Sequence, residues 1–321
     1  MCAIRLCSRI ASTDSRRHRS DWISRAARPT SMLQGPLNSP RTAMPSFSAR
    51  LQQAIAAHSP LCIGIDPSAA LLKSCALPDS ADGALEFGRR VLQAGHYGFS
   101  IIKPQSAFFE RFGSAGLKAL EELTQLARAH NVLVLIDGKR GDIDTTAEAY
   151  AESYFSASSP LKADAVTTHA YLGFAALEKF LSIAQRNAGG VFVVVRSSNP
   201  EGRELQLAKL PNGETVAANL ARLITQRNAQ AGGESPGFIG AVVGATCEDA
   251  EQIGAAMPSA YILAPGVGAQ GATIQDVLKR MPSARGRVLP NVSRAILANG
   301  PTEADIRTTI RALQEQARSL M

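Results

Sequence analysis

The residues best suited to chemistry lie in one short stretch, DGKRGD (137–142). This stretch ends the apolar run VLVLID (132–137), which predicts a buried β-strand. Because side chains alternate along a strand, Asp137 and Lys139 are expected on one face, with Asp142 one turn later. A lysine held between two carboxylates stays protonated, since opposite charges favour its charged form. Such a lysine is a fixed cation and a proton donor rather than a Schiff-base nucleophile.

The same stretch also has a purely structural interpretation. Asp142 or Asp144 could cap the following helix, and Thr145 and Glu148 have the spacing of a capping box. An Asp–Lys pair could equally be a structural ion pair. The catalytic interpretation is favoured, because charged groups at the end of an apolar strand are costly to bury unless they are paired or used.

The elements that must position this stretch alternate regularly from Met44 onward. Short β-rich runs are separated by segments with helical spacing of apolar residues, such as GSAGLKALEELTQLARAHN (113–131). Eight strands are predicted, at 61–66, 99–104, 132–137, 164–169, 191–197, 238–245, 261–266 and 287–293. Their continuous apolar character is typical of parallel strands buried on both faces. Eight strand–helix units predict an α/β chain with one (β/α)8 TIM-barrel domain over 44–321. A doubly wound open sheet is the alternative, but no GxGxxG follows the first strand.

In such a barrel, the chemistry belongs at the C-terminal ends of the strands. Besides the DGKRGD stretch, these ends carry Asp66, Lys103, His169, Ser198, the loop PGVGAQG (265–271) and Arg294. Glycines allow backbone N–H groups to approach an anion, and an arginine can add a forked, charge-assisted contact. Glycine-rich loops are also common turns. The loops after strands seven and eight are nevertheless the usual phosphate site of this barrel, so phosphate binding is predicted there.

Composition excludes several classes of protein. The chain has 321 residues, of which 45% are hydrophobic and 19% charged, so it can bury a core. No apolar run approaches the roughly 18 residues of a membrane span. The five cysteines are scattered without CxxC spacing, which disfavours a disulfide scaffold or zinc ribbon and favours the cytoplasm. The five histidines show no HxH or HExxH spacing, and no metal is expected.

The positive charge is concentrated at the N-terminus. The net charge is +7, and residues 1–43 contribute +6 through eight arginines against two acidic residues. We predict that this segment is a disordered basic extension. It could be an organelle transit peptide, a nucleic-acid-binding arm, or a solvated extension upstream of a true start at Met44. The last interpretation is favoured, and since 44–321 carries only +1, no nucleic-acid partner is expected.

The strand-end motifs together resemble one family. The segment LIDGKRGDIDTTA (135–147) resembles the DxKxxD signature of orotidine 5′-phosphate decarboxylases. Further motifs of the longer bacterial branch follow in matching order: GIDPS (64–68), IKPQSAFFE (102–110), VRSSNP (195–200), PGVGAQG (265–271) and NVSRAIL (291–297). The resemblance covers residues from about 50 to 320. It implies cofactor-free decarboxylation of orotidine 5′-phosphate to UMP and CO2 by a homodimer with shared active sites.

The resemblance also implies a role for each matching residue. Lys139 would donate the proton, and Asp137 would lie beside the substrate's own carboxylate. Asp142 and Thr146 would cross from the other subunit. The remaining implied contacts are to ribose from Asp66 and Lys103, to the pyrimidine from Ser198, and to phosphate from Gly268, Gln270 and Arg294.

Two positions depart from the family pattern. Asp144 stands where much of the family has a small residue or proline, so the loop path is not implied by the resemblance. His169-Ala170 replaces an expected Asn-Pro pair, and we expect His169 to pack near the site rather than to catalyse.

Two other functions fit parts of the sequence. A Mg²⁺-dependent hexulose-phosphate synthase-like aldolase uses a related DxKxxD on the same barrel, and EDTA would abolish its activity. A non-catalytic nucleotide- or RNA-binding protein would instead depend on the basic segment 1–43 and bind in a salt-sensitive manner.

Overall fold

The computed structural model describes residues 44–232, 235–268 and 271–321. The predicted disordered extension at 1–43 and the predicted phosphate ligand Gln270 lie outside the described residues. Within them, eight parallel strands pair in chain order, and the last pairs with the first to close a barrel. The strands are β1 Cys62–Ile65, β2 Ile101–Pro104, β3 Leu133–Arg140, β4 Ala165–His169, β5 Gly190–Arg196, β6 Ile239–Val243, β7 Ile262–Ala264 and β8 Val288–Val292.

Helices connect the strands on the outside of the barrel. The α-helices of the described residues are α1 Phe47–Ala57, α2 Ala69–Ser74, α3 Ala81–Ala94, α4 Ala107–Glu110, α5 Gly113–Ala129, α6 Asp144–Phe155, α7 Glu178–Arg186, α8 Gly202–Gln206, α9 Val216–Gln230, α10 Ala250–Ala255, α11 Ile274–Arg280 and α12 Glu303–Arg318. Short 3₁₀ helices lie at Phe174–Leu177, Pro282–Ala284 and Arg294–Leu297. None of the helices in the described part of the chain is long and apolar enough to cross a membrane.

The predicted (β/α)8 barrel is confirmed. Each of the eight predicted runs overlaps an observed strand, because a parallel strand covered by helices outside and side chains inside must be apolar on both faces. One boundary differs in an informative way. The strand β3 continues beyond the predicted end at Asp137 as far as Arg140.

The barrel interior and the helix layer form two separate apolar clusters. The interior cluster contains strand residues such as Ile101, Leu135 and Leu289, together with Phe47 and Leu51 of α1. The Phe47 ring meets the Phe192 ring edge-on, with centroids 6.1 Å apart. The helix α1 therefore closes the N-terminal end of the barrel, and polar chemistry is left to the C-terminal mouth.

The pairing of β3 with β4 is irregular where the DGKRGD stretch begins. Ile136 pairs with Val166, but the next paired residues are Arg140 and Thr168, so β3 holds extra residues between them. Such a bulge bends a strand and redirects its side chains. It carries Asp137 and Lys139 at the mouth of the barrel.

Candidate active site

The carboxylate of Asp137 is the centre of the polar cluster at the C-terminal mouth. Its Oδ2 accepts hydrogen bonds from Lys103 Nζ (2.9 Å) and Gln105 Nε2 (3.0 Å). Its Oδ1 accepts from Lys139 Nζ (2.6 Å) and Thr167 Oγ1 (2.7 Å). Four donors therefore fix both oxygens of a residue that is only 7% exposed.

Three neighbouring strands supply this cluster. Lys103 lies near the end of β2, Asp137 and Lys139 in β3, and Thr167 in β4. Because strands two, three and four are adjacent in the barrel, side chains distant in sequence meet at one place. The expected proximity of Asp137 and Lys139 is confirmed by the 2.6 Å contact.

The opposite charges of the cluster keep one another ionised. Burial alone would raise the pKa of Asp137, but Lys103 and Lys139 hold the pKa of this carboxyl well below its usual range. Burial would likewise lower the pKa of Lys103, but Asp137 and Asp66 raise it above that of an ordinary lysine. Both groups are therefore charged at neutral pH.

The sequence pattern predicted Lys139 between two carboxylates, and this stays a prediction, because the resemblance places the second carboxylate on the other subunit. Within one chain, the carboxylate of Asp137 lies between two lysines. Among the described residues, Asp142 forms no ion pair with Lys139, and its Oδ1 accepts from the backbone N–H of Ile143 (2.8 Å). The second lysine comes from β2, a neighbour that spacing within one segment does not reveal.

The two lysines differ in exposure. The Lys103 side chain is 5% exposed, whereas that of Lys139 is 49% exposed. Lys139 also has a φ of +44°, in the left-handed region that non-glycine residues rarely adopt. Lys103 is therefore a buried cation at the base of the cavity, and Lys139 presents its ammonium to the mouth of the barrel.

Asp66 lies beside this cluster at the end of β1. Its Oδ1 is 3.9 Å from Lys103 Nζ. The same oxygen is buried and accepts no hydrogen bond from the described residues. A buried carboxylate oxygen without a donor is costly, so this atom is suited to accept a hydrogen bond from a hydroxyl group of a ligand.

A cavity of about 160 Å³ opens above the cluster. It is lined by charged residues, hydroxyls and apolar side chains: Lys103, Asp137, Lys139, Thr167, Val194, Ser197, Ser198, Val242, Leu263 and Pro265. A larger cavity, of about 440 Å³, lies between α1 and α5 and includes Arg50 and Arg128. We assign the chemistry to the smaller cavity, because it holds the lysines and the buried carboxylate.

Ser198 lines the cavity from the loop after β5, and buried polar side chains hold this loop in place. Arg196, almost fully buried, bonds Asp249 through Nε (3.0 Å) and the carbonyl of Ser197 through Nη1 (2.7 Å). The Gln206 side chain accepts from the Ser197 backbone N–H (2.9 Å). The loop after β5 is thus fixed by buried polar contacts that the sequence did not indicate.

The two predicted anion-binding segments meet. Gly268 has a φ of +77°, and a Cβ built on it would lie 2.7 Å from the Cβ of Ala295. Only glycine suits both the positive φ and the close approach to Ala295. Because Ala295 directly follows Arg294, this contact brings the glycine-rich loop beside the arginine segment. Arg294 is exposed and forms no ion pair with any described carboxylate.

Asp142 and Thr146 do not join the cluster within their own chain. Asp142 is partly exposed in the loop before α6, and Thr146 is exposed on the first turn of that helix. The structural interpretation of this loop is wrong. The N-cap position is Ile143 rather than Asp142, Asp144 or Thr145, it has no side-chain cap, and α6 begins at Asp144.

His169 packs against the loop that follows Lys139. A Cβ on Gly141 would lie 2.5 Å from the His169 carbonyl oxygen and 2.9 Å from its Cε1. The Nδ1 of His169 accepts from the backbone N–H of Tyr171 at 3.4 Å. These contacts agree with a packing role.

Sequence reasoning missed Thr167 and Gln105. Gln105 lies within the motif IKPQSAFFE (102–110) and Thr167 within the predicted strand 164–169. Because side chains alternate along a strand, Thr167 lies on the same face of β4 as His169, and this alternation could have found it. It also missed Arg140, which pairs with Glu110 and lies 5.9 Å from the centroid of the Tyr150 ring. This arginine braces the loop after Lys139.

The closed barrel and the lysine–carboxylate–lysine cluster at its C-terminal mouth define an enzyme of the (β/α)8 class. The model of the "Orotidine 5'-phosphate decarboxylase / HUMPS family" matches residues 59–309, and the chain belongs to this family. A relative from Streptomyces coelicolor named orotidine 5′-phosphate decarboxylase is 44% identical over 266 residues, covering 83% of this chain and 94% of its own. One from Myxococcus xanthus with the same name is 41% identical over 274 residues, covering 85% and 95%.

Solved structures agree. A crystal structure from Streptomyces avermitilis, described as an orotidine 5′-phosphate decarboxylase, superposes with a TM-score of 0.82 at 41% identity and covers 89% of this chain and 99% of its own. The Leishmania donovani OMP decarboxylase superposes with a TM-score of 0.70 at 31% identity, covering 86% and 98%. The resemblance expected from the motifs is confirmed.

Proposed function

We propose that this chain converts orotidine 5′-phosphate to UMP and CO2 in pyrimidine biosynthesis, without a cofactor. The observation that carries the proposal is the exposed ammonium of Lys139, held 2.6 Å from the buried, ionised carboxylate of Asp137 at the cavity. Family membership and the relatives named orotidine 5′-phosphate decarboxylase support the same reaction.

Lys139 is the proposed proton donor. When the C6–carboxylate bond breaks, its electron pair stays on C6 and CO2 leaves. The Lys139 ammonium stabilises this charge by proximity and then transfers a proton to C6, after which the lysine regains a proton from water. Asp137 keeps the ammonium in place, since its pairing with Lys103 and Lys139 keeps the carboxylate charged despite its burial.

Asp137 also acts on the substrate before reaction. A substrate carboxylate placed in this cavity would approach a second carboxylate that cannot accept a proton at neutral pH. The repulsion is relieved when CO2 departs, so it lowers the barrier without any contribution from a metal or an electron sink.

The remaining predicted residues would hold the rest of the nucleotide. Ser198 faces the cavity, where the pyrimidine would lie. Asp66, whose buried Oδ1 accepts no hydrogen bond from the described residues, and Lys103 would bind ribose hydroxyls. Gly268 and Arg294 would bind phosphate, and Gln270 completes that set from outside the described residues. Remote binding of phosphate then positions C6 against Lys139.

We also infer that the enzyme is a homodimer in which Asp142 and Thr146 complete the partner's site. Their exposure near the mouth leaves both side chains accessible to a second chain. Three large apolar side chains nearby are also exposed, Ile143 (51%), Tyr171 (74%) and Leu172 (52%). Apolar side chains exposed on a functional face are typical of an interface.

We place the enzyme in the cytoplasm. The cysteines Cys62, Cys75 and Cys247 are buried free thiols, which suits a reducing compartment.

The experiment is to mix purified protein with orotidine 5′-phosphate in EDTA and follow the pyrimidine absorbance. Conversion to UMP that EDTA leaves unchanged is expected. No conversion, together with Mg²⁺-dependent aldol chemistry on a hexulose phosphate, would instead identify the aldolase branch of the family.

A further inference from the structure

We propose that Thr167 is a positioning residue of the decarboxylation, and this inference rests on the proposed function. Its hydroxyl connects the two groups that the reaction needs. Thr167 Oγ1 donates to Asp137 Oδ1 at 2.7 Å and accepts from the backbone N–H of Lys139 at 3.0 Å. One buried hydroxyl thus fixes both the carboxylate and the main chain of the proton donor.

The location of Thr167 makes this connection rigid. Thr167 is 1% exposed within β4, a paired strand, and a β-branched side chain has few rotamers. Its hydroxyl meets the bulge of β3, where the regular β3–β4 pairing is interrupted between Ile136 and Arg140. The threonine side chain therefore bridges the strands where main-chain pairing does not.

The bond to the Lys139 backbone is the more unusual of the two. Lys139 has a φ of +44°, a conformation that is unfavourable for a non-glycine residue and persists only where surrounding contacts enforce it. The bond from its N–H to Thr167 is such a contact. It sets the direction in which the Lys139 side chain leaves the strand.

Thr167 also decides which way the Asp137 carboxylate faces. The other oxygen, Oδ2, is occupied by Lys103 and Gln105. On Oδ1, Thr167 is the only neutral donor among the described residues, and it leaves the second position to the Lys139 ammonium. Without the hydroxyl, Oδ1 would be held by a half-exposed lysine alone.

The substitution Thr167→Val tests this role, because it keeps the shape and removes the hydroxyl. We expect kcat for orotidine 5′-phosphate to fall about 10- to 100-fold, since small misplacements of catalytic groups cost this much, while KM changes less than about threefold. Thr167→Ser restores the hydroxyl and should recover kcat to within about threefold of wild type.

The neighbouring residue provides a matched control. Thr168 is also fully buried in β4, but its hydroxyl has no hydrogen-bond partner among the described residues. Thr168→Val should therefore leave kcat and KM at wild-type values. Thermal unfolding of all variants and calorimetric binding of UMP show whether each remains folded and able to bind.

The outcomes separate the two proposals. A wild-type protein that leaves orotidine 5′-phosphate unchanged overturns the proposed function, whatever the variants do. An active wild type with a Thr167→Val variant of similar kcat overturns only the role of Thr167. A serine variant that is folded but as slow as the valine variant would do the same, because the hydroxyl would then not be the relevant group.

Discussion

The ammonium of Lys103 lies 2.9 Å from Oδ2 of Asp137, in an ion pair that is almost wholly buried. Burial opposes both charges, and each is retained because the other is close. Within this pair, Asp137 therefore supplies a fixed negative charge beside the half-exposed Lys139. This arrangement explains how one side chain can remain a proton donor next to a carboxylate that never takes its proton.

Breaking this pair should destabilise the fold. Asp137→Asn leaves Lys103 buried without its main counter-charge, and we expect the free energy of unfolding at pH 7 to fall by about 3–5 kcal/mol. Urea denaturation measures this change. The control Asp79→Asn removes the exposed partner of Arg111 and should cost at most about 1 kcal/mol. Equal effects of the two substitutions would contradict the buried pair.

The stability difference between wild type and Asp137→Asn should depend on pH. The folded-state pKa of Asp137 is depressed, so its contribution is complete above the unfolded-state pKa and is lost as the pH falls toward the folded-state value. Below about pH 4, the stability advantage of wild type over Asp137→Asn should shrink by up to ~1.4 kcal/mol per pH unit. Paired urea titrations from pH 7 to pH 3 test this, and a constant difference would disagree.

Removing the proton donor should stop turnover and leave binding intact. Lys139→Ala is expected to retain below about one per cent of wild-type kcat, because general-acid groups contribute at least about a hundredfold. Asp137 keeps its bonds to Lys103, Gln105 and Thr167, so the fold and UMP affinity should persist. Absorbance kinetics and calorimetry measure both properties.

Lys118→Ala, on the exposed face of α5, is the matched control for this change and should behave as wild type. If Lys139→Ala keeps more than a few per cent of the rate, another group donates the proton.

Arg294→Ala should act on the phosphate. Loss of a charge-assisted contact of about 1.5–3 kcal/mol predicts a KM for orotidine 5′-phosphate that is roughly 10- to 100-fold higher. The melting temperature should not change, since Arg294 is exposed and forms no ion pair within the described residues. Arg311→Ala, on an exposed part of α12, controls for the lost surface charge. An unchanged KM would remove Arg294 from the site.

Shared active sites can be tested by complementation. Lys139→Ala and Asp142→Ala should each be inactive alone. If Asp142 acts across the dimer, a mixed dimer contains one intact site, and an equal mixture after subunit exchange should regain about a quarter of wild-type activity. No recovery, although mass spectrometry of the mixture shows mixed dimers, would place Asp142 and Lys139 in the same chain.

The sequence predicted the location of the site well, because the ends of the strands can be recognised along the chain. Strand ends in a closed parallel barrel all open at one mouth, so Lys103 and Asp137 could be assigned to one place before any contact was known. The contact between Lys103 and Asp137 could not be predicted from the DGKRGD stretch, because Lys103 comes from β2. The place of Asp142 beside Lys139 stays a prediction for the dimer. The capping box at Thr145 is not formed, since the N-cap of α6 is Ile143, two residues earlier, and has no side-chain cap.

By itself, the sequence determined the barrel, the family and the list of candidate residues, because hydrophobic runs and strand-end motifs consist of residues that are neighbours in the chain. Only the tertiary structure decided how those residues interact. The register shift between β3 and β4, the positive φ of Lys139 and the hydroxyl of Thr167 depend on which strands are neighbours. Hydrogen bonds between strands form across the fold, and no spacing along one segment encodes them.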